Sequence, residues 1–214
     1  MPTASGPWVP VAALLAMLVS GIFLLADDGC GRGVGRWTGA GMPMMGADPG
    51  AGWLAGDGEP VDDLGEARQR AEEFAERLAP GLVVGEVMRF TENYYAELEE
   101  PDGTKATEVL VDPASGATQL EFGPARMWNT RYGMMTRSGS SDRLGPEQAQ
   151  DIAQQWADDR DGLTVEDAEA FPGYYTLHTL RDGRIEGMLS VHDVSGAVWY
   201  HGWHGDFEEM SEGP

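Results

Sequence analysis

The sequence predicts an α+β fold of two repeated units, each a helix packed on an antiparallel β-meander, behind an N-terminal transmembrane helix. Three observations carry this. Two stretches eighty residues apart repeat one another: Tyr94-Tyr95 and Tyr174-Tyr175, Asp102-Gly103 and Asp182-Gly183, Val111 and Val191, Ser115-Gly116-Ala117 and Ser195-Gly196-Ala197. Each stretch follows an amphipathic helical pattern. Near the N-terminus, Trp8 to Ala26 runs nineteen residues without a charge. A period this long describes a duplicated domain, because solenoid repeats are shorter and need three or more copies.

The first segment, residues 1–28, is long enough to cross a hydrocarbon core. It reads as a membrane anchor through residues 8–26, or as a signal peptide cut after Ala26. No Lys or Arg precedes it, while Arg32 and Arg36 follow, so the positive-inside rule would put the body in the cytoplasm. Cys30 is the only cysteine, which excludes an internal disulfide. Asp27, Asp28 and Gly29 before it do not suit a lipidation signal. Residues 29–60 carry eleven glycines and three prolines without hydrophobic periodicity, the composition of a flexible linker. Met42-Pro43-Met44-Met45 lies inside it.

The first repeat spans residues 61–122. Asp62 or Asp63 caps a helix whose apolar face is Leu64, Ala67, Ala71, Phe74, Ala75 and Leu78, and Pro80-Gly81 ends it. Strands are expected over 82–90, 94–98, 106–111 and 117–122, joined by turns at Pro101-Asp102-Gly103 and Pro113 to Gly116. The second repeat spans 144–208. Pro146 opens its helix, and Ala149, Ile152, Ala153, Trp156 and Ala157 form its buried stripe. Strands follow over 163–170, 174–180, 185–192 and 197–203. A helix across one face of an antiparallel sheet buries the apolar faces of both.

The net charge is −22, with Lys105 the only lysine. That balance excludes nucleic acid as a partner, since counterion displacement needs a basic footprint. It also matches a surface adapted to high salt.

The first repeat resembles the PepSY domain family. Glu108-Val109-Leu110-Val111-Asp112-Pro113-Ala114-Ser115-Gly116-Ala117 fits the strand-and-turn pattern of that family, and Tyr94-Tyr95 supplies its upstream aromatic strand. The second copy departs from the pattern: His192 stands for the aspartate and Asp193 for the proline, while Gly196-Ala197-Val198 is kept. The resemblance implies a noncatalytic, regulatory binding module in the periplasm or extracellular space, acting on an envelope protein or inhibiting a peptidase. Asp112, Gly116 and Gly196 are turn residues on the chemistry alone, an Asx cap and two positions open to positive φ.

No HExxH, GxSxG, GxGxxG or P-loop pattern occurs, so the chain is not expected to be an enzyme. Carboxylates such as Glu97, Glu99 and Glu100 read as solvated faces. The sharper chemical alternative is copper or zinc binding, with no other cofactor expected. His201, His204 and Asp206 put two imidazoles and a carboxylate within six residues, and the converging histidines require the glycines to break the strand. Met42, Met44 and Met45 are soft donors that could join them. The connector, residues 123–143, is the candidate partner surface. Arg126, Met127, Trp128, Arg131, Tyr132, Met134 and Met135 are residue types enriched at interface centres, and the alternative is that they seal the junction between the repeats.

Overall fold

Reciprocal capping starts the first helix. Asp63 accepts the N–H of Glu66 at 2.9 Å, and Glu66 accepts the N–H of Asp62 at 2.8 Å. Helix α1 (Leu64–Leu78) follows, with Ala67, Ala71, Phe74 and Ala75 buried. The computed structural model describes residues 52–134, 142–211 and 213.

The first sheet contains β1 (Trp53–Leu54), β2 (Val83–Phe90), β3 (Tyr94–Glu99), β4 (Lys105–Val111), β5 (Thr118–Leu120) and β11 (Phe207–Ser211), in the order β1-β5-β4-β3-β2-β11. Short helix α2 (Pro124–Met127) leads to α3 (Pro146–Asp158). The second sheet contains β6 (Leu163–Val165), β7 (Glu169–Phe171), β8 (Tyr174–Arg181), β9 (Arg184–His192) and β10 (Val198–Tyr200). Its order is β10-β9-β8-β6, with β7 also paired to β8. Every pairing is antiparallel.

Side-chain alternation sorts the residues into layers. Val84, Tyr94, Ala96, Leu98, Val109 and Val111 face α1, while Leu177, Leu189 and Val191 face α3. The opposite faces meet in a seam lined by Met88, Phe90, Tyr95 and Leu110 from the first sheet and Met188 from the second. The order is therefore helix, sheet, sheet, helix.

This corrects the expected fold class. The described residues are mostly antiparallel β, two sheets with three helices, and not two self-contained helix-on-meander units behind a transmembrane helix. The first sheet recruits β1 from the expected linker and β11 from the far end of the chain. The reason is that β2 and β5 would otherwise leave unpaired backbone at both edges of that sheet. No helix among the described residues is long and apolar enough to cross a membrane. The segment 8–26 lies outside the described residues, as do Cys30 and the linker up to residue 51.

The repeat is also offset. Tyr94 pairs with Val111, but Tyr175, not Tyr174, pairs with Val191. Cross-strand partners share a face, so Tyr94 and Tyr175 lie on the helix sides while Tyr95 and Tyr174 enter the seam. A one-residue slip reverses the faces of a strand. The slip originates at the hairpin tips, where Glu99 and Lys105 enclose five residues and Arg181 and Arg184 enclose two.

Candidate metal centre

Three buried side chains converge at the end of the seam. Glu121 comes from the residue after β5, whose backbone N–H still bonds the carbonyl of Glu108 at 2.9 Å. Leu120 faces α1, so Glu121 points inward. His201 and His204 come from the crossover, residues 201–206, that carries the chain from β10 to β11. Nδ1 of His201 lies 3.2 Å from Glu121 Oε1, and Nε2 of His204 lies 2.9 Å from the same oxygen. One ligand atom from each residue falls within 4.8 Å of the others. The rings are wedged in place, His201 stacked on Trp203 at 4.8 Å and His204 on Phe90 at 4.4 Å.

The outer nitrogen of each ring has a partner that fixes where its proton sits. Asn93 donates from Nδ2 to the carbonyl of Trp203 at 2.9 Å, leaving Oδ1 to accept from His204 Nδ1 at 2.8 Å. A neutral His204 therefore presents a bare Nε2 to Glu121. A hydroxyl chain acts on His201. Thr176 donates to Glu108 Oε1 at 2.7 Å, accepts from Ser190 at 3.0 Å, and Ser190 accepts from His201 Nε2 at 2.9 Å. Neutral His201 therefore turns a bare Nδ1 inward.

Both lone pairs face one carboxylate oxygen that already accepts the indole N–H of Trp203 at 3.2 Å. The two N···O contacts are short but not aligned as hydrogen bonds. His201 Nδ1, His204 Nε2 and Glu121 Oε2 are buried without a hydrogen-bond partner. Atoms that point at a common centre show this combination. Donors about 2.0–2.1 Å from a zinc-sized ion stand roughly 3.0–3.4 Å apart at tetrahedral or octahedral angles. The two N···O separations, 3.2 and 2.9 Å, fall in or next to that range.

With no ion bound, the charges within the cluster favour a pair between ionised Glu121 and protonated His201. Burial works to raise the Glu121 pKa, but His201 and His204 outweigh it and hold the carboxyl at about 2. Burial lowers the His201 pKa, and Glu121 more than offsets it, for a net rise. His204 is shifted down by burial, against the pull of Glu121. Glu108, the acceptor for Tyr95 at 2.9 Å, Tyr174 at 2.6 Å and Thr176, is pushed up to about 8 by burial and by Glu121. Two glutamates thus share a buried seam beside His201, whose protonated form both favour.

Of the expected metal ligands, His201 and His204 come together but Asp206 does not. Asp206 is exposed, and its backbone bonds Thr91 through both N–H and carbonyl. Gly205, at φ 79°, turns the chain outward before it. Glu121 occupies the carboxylate position instead, with Asn93 and Ser190 behind the rings. A carboxylate between Leu120 and Phe122 was the only sequence signal for it. Glu97, expected on a solvated face, is buried beside Lys105. Met42, Met44 and Met45 lie outside the described residues.

The other singled-out residues are placed as follows. Asp112 Oδ1 accepts the N–H groups of Ala114 at 2.7 Å and Ser115 at 3.1 Å. Gly116 and Gly196 adopt φ 68° and 67° in their turns. In the connector, Arg126 bonds the Leu120 carbonyl at 3.1 Å and Gln119 at 2.5 Å, and Trp128 packs edge-on against His192 and Trp199. Tyr132 bonds Glu100 at 2.6 Å and Arg131 pairs with the same carboxylate at 2.8 Å. Met127 and Met134 are exposed, and Met135 lies outside the described residues.

No protein-family model, no curated protein and no solved structure matches the chain. The fold and the site define it only as a two-sheet protein with a buried Glu-His-His cluster.

Proposed function

We propose that this protein binds one divalent transition-metal ion, zinc(II) or copper(II), through Glu121, His201 and His204. The observation that carries the reading is the convergence of three buried donor groups, in which both inward nitrogens lack a hydrogen-bond partner. Imidazole nitrogen suits zinc and copper, whereas magnesium and calcium prefer all-oxygen shells. A dication would also neutralise Glu121 and ease ionisation of Glu108 beside it. Asn93 and Ser190 act as the orienting outer partners that metal-bound histidines need. The ligand side chains are at most 1% exposed. That burial favours holding a metal over turning over a substrate.

Isothermal titration of the tag-free, chelator-treated protein with zinc or copper(II) tests this. One equivalent should bind, and the melting temperature should rise as expected for a ligand selective for the folded state. Binding should vanish in Glu121→Gln and in the His201→Ala, His204→Ala double variant, and persist in Asp206→Ala. No uptake by the native chain, or undiminished uptake by the double variant, would overturn the proposal.

A second reading follows the PepSY resemblance: a noncatalytic module that modulates an envelope protein or a peptidase. Its support is the exposed pair Met127 and Met134 beside the aromatic connector. It predicts slower substrate cleavage when the chain is added to an envelope metallopeptidase. Unchanged cleavage across a panel of such enzymes counts against it.

A further inference from the structure

The two histidines sit on the only covalent link between the second sheet and β11, and the third donor comes from the β5 end of the first sheet. We infer that occupancy of this site controls whether β11 stays docked on β2. The inference rests on the metal reading above and concerns its regulation.

The crossover is tied to both sheets. His201 N–H bonds the Met188 carbonyl of β9 at 3.0 Å, while the β2–β3 turn holds the rest through Thr91 N–H to the Asp206 carbonyl at 2.9 Å, Asp206 N–H to Thr91 Oγ1 at 3.0 Å, Glu92 N–H to the His204 carbonyl at 3.0 Å, and Asn93 to Trp203. Each of these bonds depends on the crossover lying flat over the seam. That requires His201 and His204 to enter the interior, where His201 Nδ1 and His204 Nε2 have no aligned hydrogen-bond partner. A coordinated cation would give both nitrogens the partner they lack. Without it, the rings gain by moving to water, because unpaired buried polar groups are costly.

Strand β11 has little else to hold it. It is five residues long, its register on β2 is broken between Phe207 and Glu209, and Glu208 and Glu209 face solvent. Arg89 pairs with both glutamates, at 2.7 and 3.7 Å, in exposed contacts of the kind that contribute little. Phe207 and Met210 are the side chains it contributes to the seam, and both are only partly buried. By contrast, β2 places Val87 and Met88 fully in the interior and pairs with β3 along its other edge. Release of β11 therefore leaves β2 in place with an open edge, a state suited to accepting an added strand. Metal binding would then act as a clasp that covers this edge.

Hydrogen exchange of the full chain, with zinc and after chelation, tests the clasp against titration calorimetry on the same samples. Amide exchange in β11 should accelerate about tenfold or more on chelation, while β3 and β4 keep their protection. The Glu121→Gln variant should show fast β11 exchange with or without zinc. If zinc binds by calorimetry and β11 protection is unchanged by chelation, the clasp is wrong and the metal site stands. If β3 and β4 lose protection together with β11, the metal supports the whole fold and local control is wrong. If zinc does not bind, the metal reading itself fails.

Discussion

The turns at Asp112–Ala117 and His192–Ala197 are the same structure made with different side chains, whereas the hairpins before them, equal in length, pair one residue out of step. In the first turn Asp112 Oδ1 accepts the Ser115 N–H; in the second His192 Nδ1 accepts the Ser195 N–H at 3.1 Å. Both glycines bond back to the carbonyl four residues earlier, at 2.9 and 3.0 Å. Both press against the outer helix: an added Cβ would meet Arg70 at 2.9 Å in one and Ile152 at 3.1 Å in the other. The hairpins, by contrast, send Tyr95 and Tyr174 into the seam from opposite sheets, where both bond Glu108. Turn geometry tolerates a change of side chain because backbone bonds carry it. A one-residue shift of register has no such tolerance, because every side chain on the strand changes face.

The largest expected effect comes from undoing the offset. Inserting one residue between Asp182 and Gly183 should break the two-residue turn and drive Tyr174 toward α3. We expect a loss of about 5 kcal/mol or more, enough to collapse the second sheet, read by near-ultraviolet circular dichroism and urea unfolding. Retention of native spectra would mean that the hairpin length does not set the register.

Next is the acceptor that the two tyrosines share. In metal-free protein the Glu108 pKa is about 8 in the fold against 4.5 in the unfolded chain. Between those values the fold holds a proton that the unfolded chain has released. Stability should therefore fall as pH rises through that window, by at most about 5 kcal/mol. Glu121 has the opposite sign. Its pKa is about 2 in the fold, so its contribution is present above pH 4.5 and is lost as pH falls toward 2. Urea titrations across pH on native protein and Glu108→Gln separate the two, since the variant should lose only the upper slope.

Removing single hydroxyls then ranks the two tyrosines. Tyr174→Phe deletes a buried bond to Glu108 and should cost about 2 kcal/mol; Tyr175→Phe deletes a half-buried bond to the Leu144 carbonyl and should cost about 1 kcal/mol. Equal losses would argue that the seam bond has no special weight. The smallest effect is at the matched turns. Gly116→Ala and Gly196→Ala should each cost about 1–2 kcal/mol and agree closely, because both force a Cβ into a left-handed conformation. A large difference in chemical denaturation would break the equivalence of the turns.

Much of the local structure was legible. The cap at Asp63, the apolar stripe of α1, Pro146 at the start of α3 and the Ser-Gly turns all follow from short-range periodicity and backbone chemistry. The candidate site was only partly legible. His201 and His204 stand out because two imidazoles flank Gly202-Trp203, but proximity in sequence favoured Asp206 over Glu121, which lies eighty residues upstream of His201. Glu97 read as a solvated acid, and Glu108 and Glu121 did not stand out as site residues, because nothing in a strand pattern marks which polar residue will be covered by a second sheet. The expected α+β duplication failed for a related reason: the pairing of β11 with β2 joins residues more than a hundred apart.

By itself the sequence determined where chain reversals fall, which helix faces are apolar, and that two histidines share one short crossover. These depend on neighbouring residues and on periods of two or about 3.6. Only the tertiary structure decided that two sheets face each other, that the tyrosines enter from both sides, and that Glu121 meets the histidines. Those outcomes depend on register and on edges seeking partners, and both are set by contacts between residues distant along the chain.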